Sequence, residues 1–125
     1  MPTEYSRRYA PPMPVLAVRL SVPEQPAAGQ PVMALIDTGA DVCIVPRILL
    51  SQLDAPASEP VWIRGQWSEP IRATRYLIDV HLEQMVIPAV DVVSDPNGRE
   101  IIIGRNVLEK FRLLLDGPAR LTEML

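Results

Sequence analysis

Cysteine, histidine and lysine are almost missing from this chain of 125 residues: each occurs once, as Cys43, His81 and Lys110. One cysteine cannot build a disulfide framework, and with one histidine it cannot make up a Cys/His zinc set. The same scarcity argues against a Ser-His or Cys-His nucleophile. Cys43 lies among Val42, Ile44 and Val45 and reads as a small buried thiol, because free cysteine packs as a small hydrophobe. Arginines are scattered along the chain and the net charge is −3, so no basic patch points to nucleic acid. No apolar run approaches the ~20 residues that a membrane span needs, and no membrane partner is expected. Internal repeats and low-complexity tracts are absent as well.

Proline is plentiful, with 14 residues, and leaves little room for long helices. Apolar residues make up 48% and charged residues 22%, a globular composition for one domain with one modest core. Residues 1–13 carry two arginines and a short apolar stretch broken by proline; they read as a loose N-terminal arm rather than a signal peptide. The domain proper is then 14–125, and a cytoplasmic address is the expectation.

Short strands between turns make the chain all-β. Strands are expected at Val15 to Val22, Val32 to Ile36, and through VCIVP (42–46), with PEQPAAGQP (23–31) as a loop. Pro46 starts one or two helical turns over Arg47 to Leu53. DAPASEP (54–60) reads as loop, and Val61 to Arg64 with Ile71 to Arg75 as hairpin arms around GQWSEP (65–70). The clearest strand is Tyr76-Leu77-Ile78-Asp79-Val80-His81-Leu82, with Asp79 and His81 on its polar, solvated side. Met85 to Val93 is a further strand that Pro88 demotes to an edge or bulge. SDPNG (94–98) is a turn, Glu100 to Ile103 a short strand, and Arg105 to Phe111 a short helix. The closing segment is a hairpin turning at Asp116-Gly117.

Within this frame ALIDTGADVCIVP (34–46) is unusual, because Asp37 interrupts an apolar, strand-forming run. A carboxylate inside apolar surroundings is costly unless it is paired, hydrogen-bonded or protonated. One reading makes Asp37-Thr38-Gly39 a tight turn in which the aspartate bonds its own backbone. The other makes Asp37 a chemical group. A second segment, Ile101-Ile102-Ile103-Gly104-Arg105-Asn106, is likewise an apolar strand that ends at glycine before a helix.

Together these segments resemble the retropepsin-like aspartic proteases, the single-domain relatives of retroviral protease. Asp37 to Ala40 matches the family's D-T/S-G-A signature, and Ile102 to Leu108 its I-I-G-R-[ND]-x-L segment. The resemblance covers approximately 14–125. It implies a closed, barrel-like all-β fold with one flap hairpin and one short C-terminal helix, and an aspartic endopeptidase that needs no metal or other cofactor. Two carboxyls sharing one proton can activate a water and protonate the departing amine. The chain has only one D-T-G, so the partner carboxylate must come from a second copy in a symmetric homodimer.

The resemblance also assigns roles. Asp37 is catalytic, and Thr38 braces the dyad across the axis. Gly39 lets the backbone of a peptide or protein substrate approach and offers its carbonyl. Asp41 pairs with Arg105 and contacts substrate backbone, while Gly104 lies behind the active-site loop where a side chain would intrude. Leu35, Ile44 and Ile102 are candidate walls of apolar pockets, or ordinary core. Trp67 stands at the presumed flap tip, either over substrate or closing a stiffer lid. The C-terminal hairpin is the candidate dimer sheet. Two departures stand out: the flap keeps only Gly65, and Cys43 replaces a hydroxyl residue. The altered flap motivates the alternative, a catalytically idle peptide-binding or dimerisation module.

Overall fold

The computed structural model describes residues 2–27, 29–65 and 69–125. In chain order the elements are β1 (Thr3–Glu4), β2 (Val15–Ser21), β3 (Val32–Ile36), β4 (Cys43–Pro46), α1 (Arg47–Gln52), β5 (Ala57–Ile63) and β6 (Ile71–His81). They are followed by β7 (Val86–Asp95), β8 (Ile102–Ile103), α2 (Arg105–Leu108), β9 (Leu113–Asp116) and β10 (Leu121–Met124).

Strands β2, β3, β8, β4, β7 and β6 are bonded in that order, and β2 pairs back onto β6, which closes a barrel. Most pairs are antiparallel, but β3–β8 and β4–β7 are parallel. Alternation along the strands sends one set of side chains inward, among them Val18, Ile78, Val80, Val92, Ile101 and Ile103, each at most 1% exposed. Leu50 of α1 and Val107 of α2 pack into the same core. Strand β5 extends the sheet beyond β6 as an edge, where Pro60 costs no ladder bond to a further neighbour. A second sheet, ordered β1-β10-β9, joins the two ends of the chain.

Several expectations need correction. The N-terminal segment is not loose: Thr3 and Glu4 pair with Thr122 and Leu121, and Ser6 bridges to Met13. Residues 57–60 are strand rather than loop, held by pairs such as Pro60 with Thr74. The expected strands at 71–75 and 76–82 are one continuous β6, because the hairpin's return arm runs on into the barrel. Helix α2 ends at Leu108, well short of Phe111.

Asp79 and His81 are not a solvated face either. Asp79 is buried; its Oδ2 accepts from Glu24 N and its Oδ1 from Ala89 N, both at 2.8 Å. Glu24 and Ala89 have φ of 69° and 51°, so this carboxylate clamps two turns in the left-handed region, where side chains are disfavoured. His81 is half-buried, with Nε2 2.7 Å from Ser21 Oγ, whose proton goes to Gln25 O. Nε2 is therefore the donor to that hydroxyl.

Candidate active site

Strand β3 ends at Ile36 and delivers Asp37. Leu35 N donates to Ile101 O at 2.8 Å and Asp37 N to Ile103 O at 3.0 Å, so the pairing with the β8 segment continues to the acid itself. The chain then turns: Ala40 N donates to Asp37 O at 3.2 Å and Gly39 N to Asp37 Oδ1 at 2.9 Å. A Cβ on Gly39 would press on that same Oδ1 at 3.3 Å. The tight-turn reading thus describes the backbone, yet it leaves Oδ2 bonded to none of the described residues. Asp37, Thr38 and Gly39 are all exposed in the single chain. The expectation of a carboxylate enclosed by apolar groups is not met there, because the apolar strand ends one residue earlier.

The second segment docks against this loop. Arg105 N donates to Ala40 O at 2.8 Å and Asn106 N to Asp41 O at 3.3 Å. Gly104 makes the approach possible: a Cβ there would lie 2.5 Å from Val42 O and 2.9 Å from Ala40 O. The Arg105 guanidinium pairs with the Asp41 carboxylate, whose hydrogen bond and charge push Arg105 further above its ordinary range.

Behind the loop, Cys43 is buried; its thiol donates to Asn106 Oδ1 at 3.3 Å and its sulfur accepts from Gly104 N at 3.4 Å. Burial pushes the thiol up to about 11, opposed in part by the Gly104 N–H. Asn106 Nδ2 donates to Asp91 O at 2.8 Å. Asn106 thus ties the loop, β4 and β7 together, a role the sequence reading did not assign to it. Its place directly after Gly104-Arg105 was the available signal.

Leu35, Ile44 and Ile102 share one face. Leu35 stands opposite Ile102, Ile102 opposite Ile44, Ile44 opposite Val93 and Val93 opposite Arg75, one row across five strands. The first three are half-buried, whereas their neighbours Ile36, Cys43, Val45 and Ile103 point into the core. Between the Asp37 loop and the β5–β6 hairpin lies a groove of about 710 Å³, lined by Gly39, Asp41, Ile44, Ile63, Arg75 and Asp91 among others. Leu35 and Ile102 continue the row without lining the groove. Trp67 lies outside the described residues. A second hollow of about 590 Å³, beside Arg19 and His81, holds no residue of either motif. Among the described residues no three His, Cys, Asp or Glu side chains gather as a metal ion would require, and no helix is long and apolar enough to cross a membrane.

A loop of this kind, on a closed barrel and locked to a Gly-Arg-Asn turn, defines the single-domain aspartic proteases. The family model of the retroviral aspartyl protease matches residues 11–116, and the chain belongs to that family. Solved structures share the fold at low identity. A retropepsin-like aspartic protease from Rickettsia conorii is 12% identical with a TM-score of 0.68, over 99% of this chain and 88% of that one. The EIAV protease in complex with the inhibitor HBY-793 is 17% identical with a TM-score of 0.55, over 86% and 93%. The retroviral protease-like domain of Ddi1 from Leishmania major is 20% identical with a TM-score of 0.52, over 89% and 88%. No curated protein matches the chain in sequence.

Proposed function

We propose that the chain is an aspartic endopeptidase that works as a homodimer, with Asp37 of each copy meeting across a two-fold axis. The observation that carries this reading is an exposed Asp37 carboxylate, set by backbone bonds at the end of β3, in a chain with one D-T-G. Half a centre of this kind is chemically incomplete, since a lone carboxylate cannot act as base and acid in the same step.

In the pair, the ionised carboxylate takes a proton from water while the water oxygen bonds to the scissile carbonyl carbon. The protonated partner gives its proton to the carbonyl oxygen. Collapse of the resulting diol then breaks the C–N bond as the nitrogen receives a proton from one carboxyl and a diol hydroxyl gives its proton to the other, which restores the dyad. Thr38 braces the opposite loop, and Gly39 and Asp41 hold substrate backbone. Ile44 faces the groove, with Ile102 and Leu35 beyond it on the same face. The β5–β6 hairpin is the flap.

For the dimer, strand β9 supplies support. It is one of the two edges of the terminal sheet, and Leu114 and Leu115 on it are each 42% exposed. Pairing β9 with β9 of a second copy covers both an open ladder and apolar surface.

Cleavage of a diverse peptide library at acid and neutral pH, with and without Asp37→Asn, tests the reading. The wild type is expected to cleave, and the variant to lose ~10²–10⁴-fold in rate. Cleavage that survives in Asp37→Asn rules out the dyad. A wild type silent at every pH, yet dimeric in sedimentation, supports the idle module instead.

A further inference from the structure

We propose that the groove end farthest from Asp37 selects a cationic side chain of the substrate, through Arg75 and the two carboxylates that bracket it. The inference rests on reading the groove as a substrate cleft. The row Leu35, Ile102, Ile44, Val93, Arg75 runs from the strand that delivers Asp37 to β6, four strand spacings or roughly 19 Å along the sheet. Its first four members are aliphatic and the last is charged. The charge therefore meets a substrate side chain some distance from the scissile bond, while the residues flanking that bond meet an apolar floor.

The sign of the site follows from counting its charges. Arg75 Nε donates to Asp91 Oδ1 at 2.8 Å with NH2 2.7 Å from the same oxygen, and NH1 donates to Glu59 Oε1 at 2.6 Å. One guanidinium between two carboxylates leaves one negative charge in excess. Asp91 Oδ2 and Glu59 Oε2 are bonded to none of the described residues, and the two side chains are 44% and 60% exposed, so an incoming ammonium or guanidinium can reach them. Arg75 and Asp91 line the groove, and Glu59 reaches Arg75 from outside that lining; the other carboxylate of the lining, Asp41, is already matched by Arg105. The remaining cation of the lining, Arg64, lies five residues beyond Glu59 on the same strand and its exit, roughly 16 Å of extended chain. That is about two Debye lengths at physiological salt, so it does little to cancel the excess. A substrate carboxylate, by contrast, must displace Glu59 or Asp91 from Arg75 before it gains a partner.

The test uses peptides with a common apolar centre and Lys, Gln or Glu at one outlying position. Cleavage by the wild type is measured beside fluorescence-anisotropy binding to the Asp37→Asn protein. Lys peptides are expected to be preferred over Glu peptides by roughly two- to five-fold, as suits an exposed ion pair. Glu59→Gln, which leaves Arg75 and Asp91 as a neutral pair, is expected to abolish that preference, and Glu59→Lys to reverse it. A preference for Glu, no preference at all, or a Lys preference untouched by Glu59→Gln overturns the inference. Binding with the expected charge preference but no cleavage removes the endopeptidase reading and leaves this inference standing. Absence of binding by every peptide removes both.

Discussion

The loop that carries Asp37 and the hairpin that overhangs it are built on opposite principles. From Asp37 to Asn106 the loop and the α2 turn are stitched by backbone bonds, a buried thiol and a glycine with no room for a side chain. The β5–β6 hairpin projects from the barrel, with Trp62 72% exposed and five of the seven β5 residues exposed. Among its described residues the side-chain ion pairs are those of the Arg75 cluster. Under the proposed reading, geometry that must be held to a fraction of an ångström is thus fixed by backbone, while the surface offered to a variable substrate is left to side chains. Substitutions in the first region are expected to act on the fold itself, and those in the second on selection alone.

Gly104→Ala breaks the comparison hardest. The new methyl meets Val42 and Ala40 carbonyls, which are backbone and cannot swing away, so a cost of about 2–3 kcal/mol follows. Thermal unfolding is expected to shift down by roughly 10 °C. Cys43 gives a chemical readout of the same packing. Its thiolate is held back by burial, so alkylation near pH 7 is expected to run roughly a hundred-fold or more below that of an open cysteine. The sign is that of a raised acid. The stability gained by keeping the thiol neutral is complete below the ordinary thiol range, and it is lost as pH climbs toward about 11. Rapid labelling of folded protein at neutral pH contradicts this. Asn106→Ala is next: it strands Asp91 O and the Cys43 thiol, at about 1–2 kcal/mol, measurable by urea unfolding. Trp62→Ala is expected to change stability by no more than ~0.5 kcal/mol, since the ring is largely in solvent. A large loss of stability there shows that the hairpin is anchored as firmly as the loop.

What the chain reveals without coordinates is divided along the same line. Asp37-Thr38-Gly39-Ala40 and Gly104-Arg105-Asn106 are legible because each needs particular residues at consecutive positions, with apolar strand beside them. Strands β2, β3 and β4 are legible from local alternation and flanking turns. Arg75, Asp91 and Glu59 are not, since they meet only after β5, β6 and β7 have found their register, which shifts between Ala57 and Pro60 and between Ile78 and Val80. Asp79 misleads for a related reason. Its alternation with Ile78 and Val80 marks an outer face, but the turns at Glu24 and Ala89 fold over that face and bury it. The pairing of β1 with β10 joins opposite ends of the chain and leaves no local mark in either.

The central claim is that one chain holds half of a reactive centre, and mixing tests it most directly. Wild type and Asp37→Asn protein are combined in equal amounts under conditions that allow subunits to exchange, and peptide cleavage is followed per total protein. A shared dyad predicts about a quarter of the all-wild-type activity, since only that fraction of random pairs keeps both aspartates. Activity at one half, the value for centres complete within each chain, contradicts it.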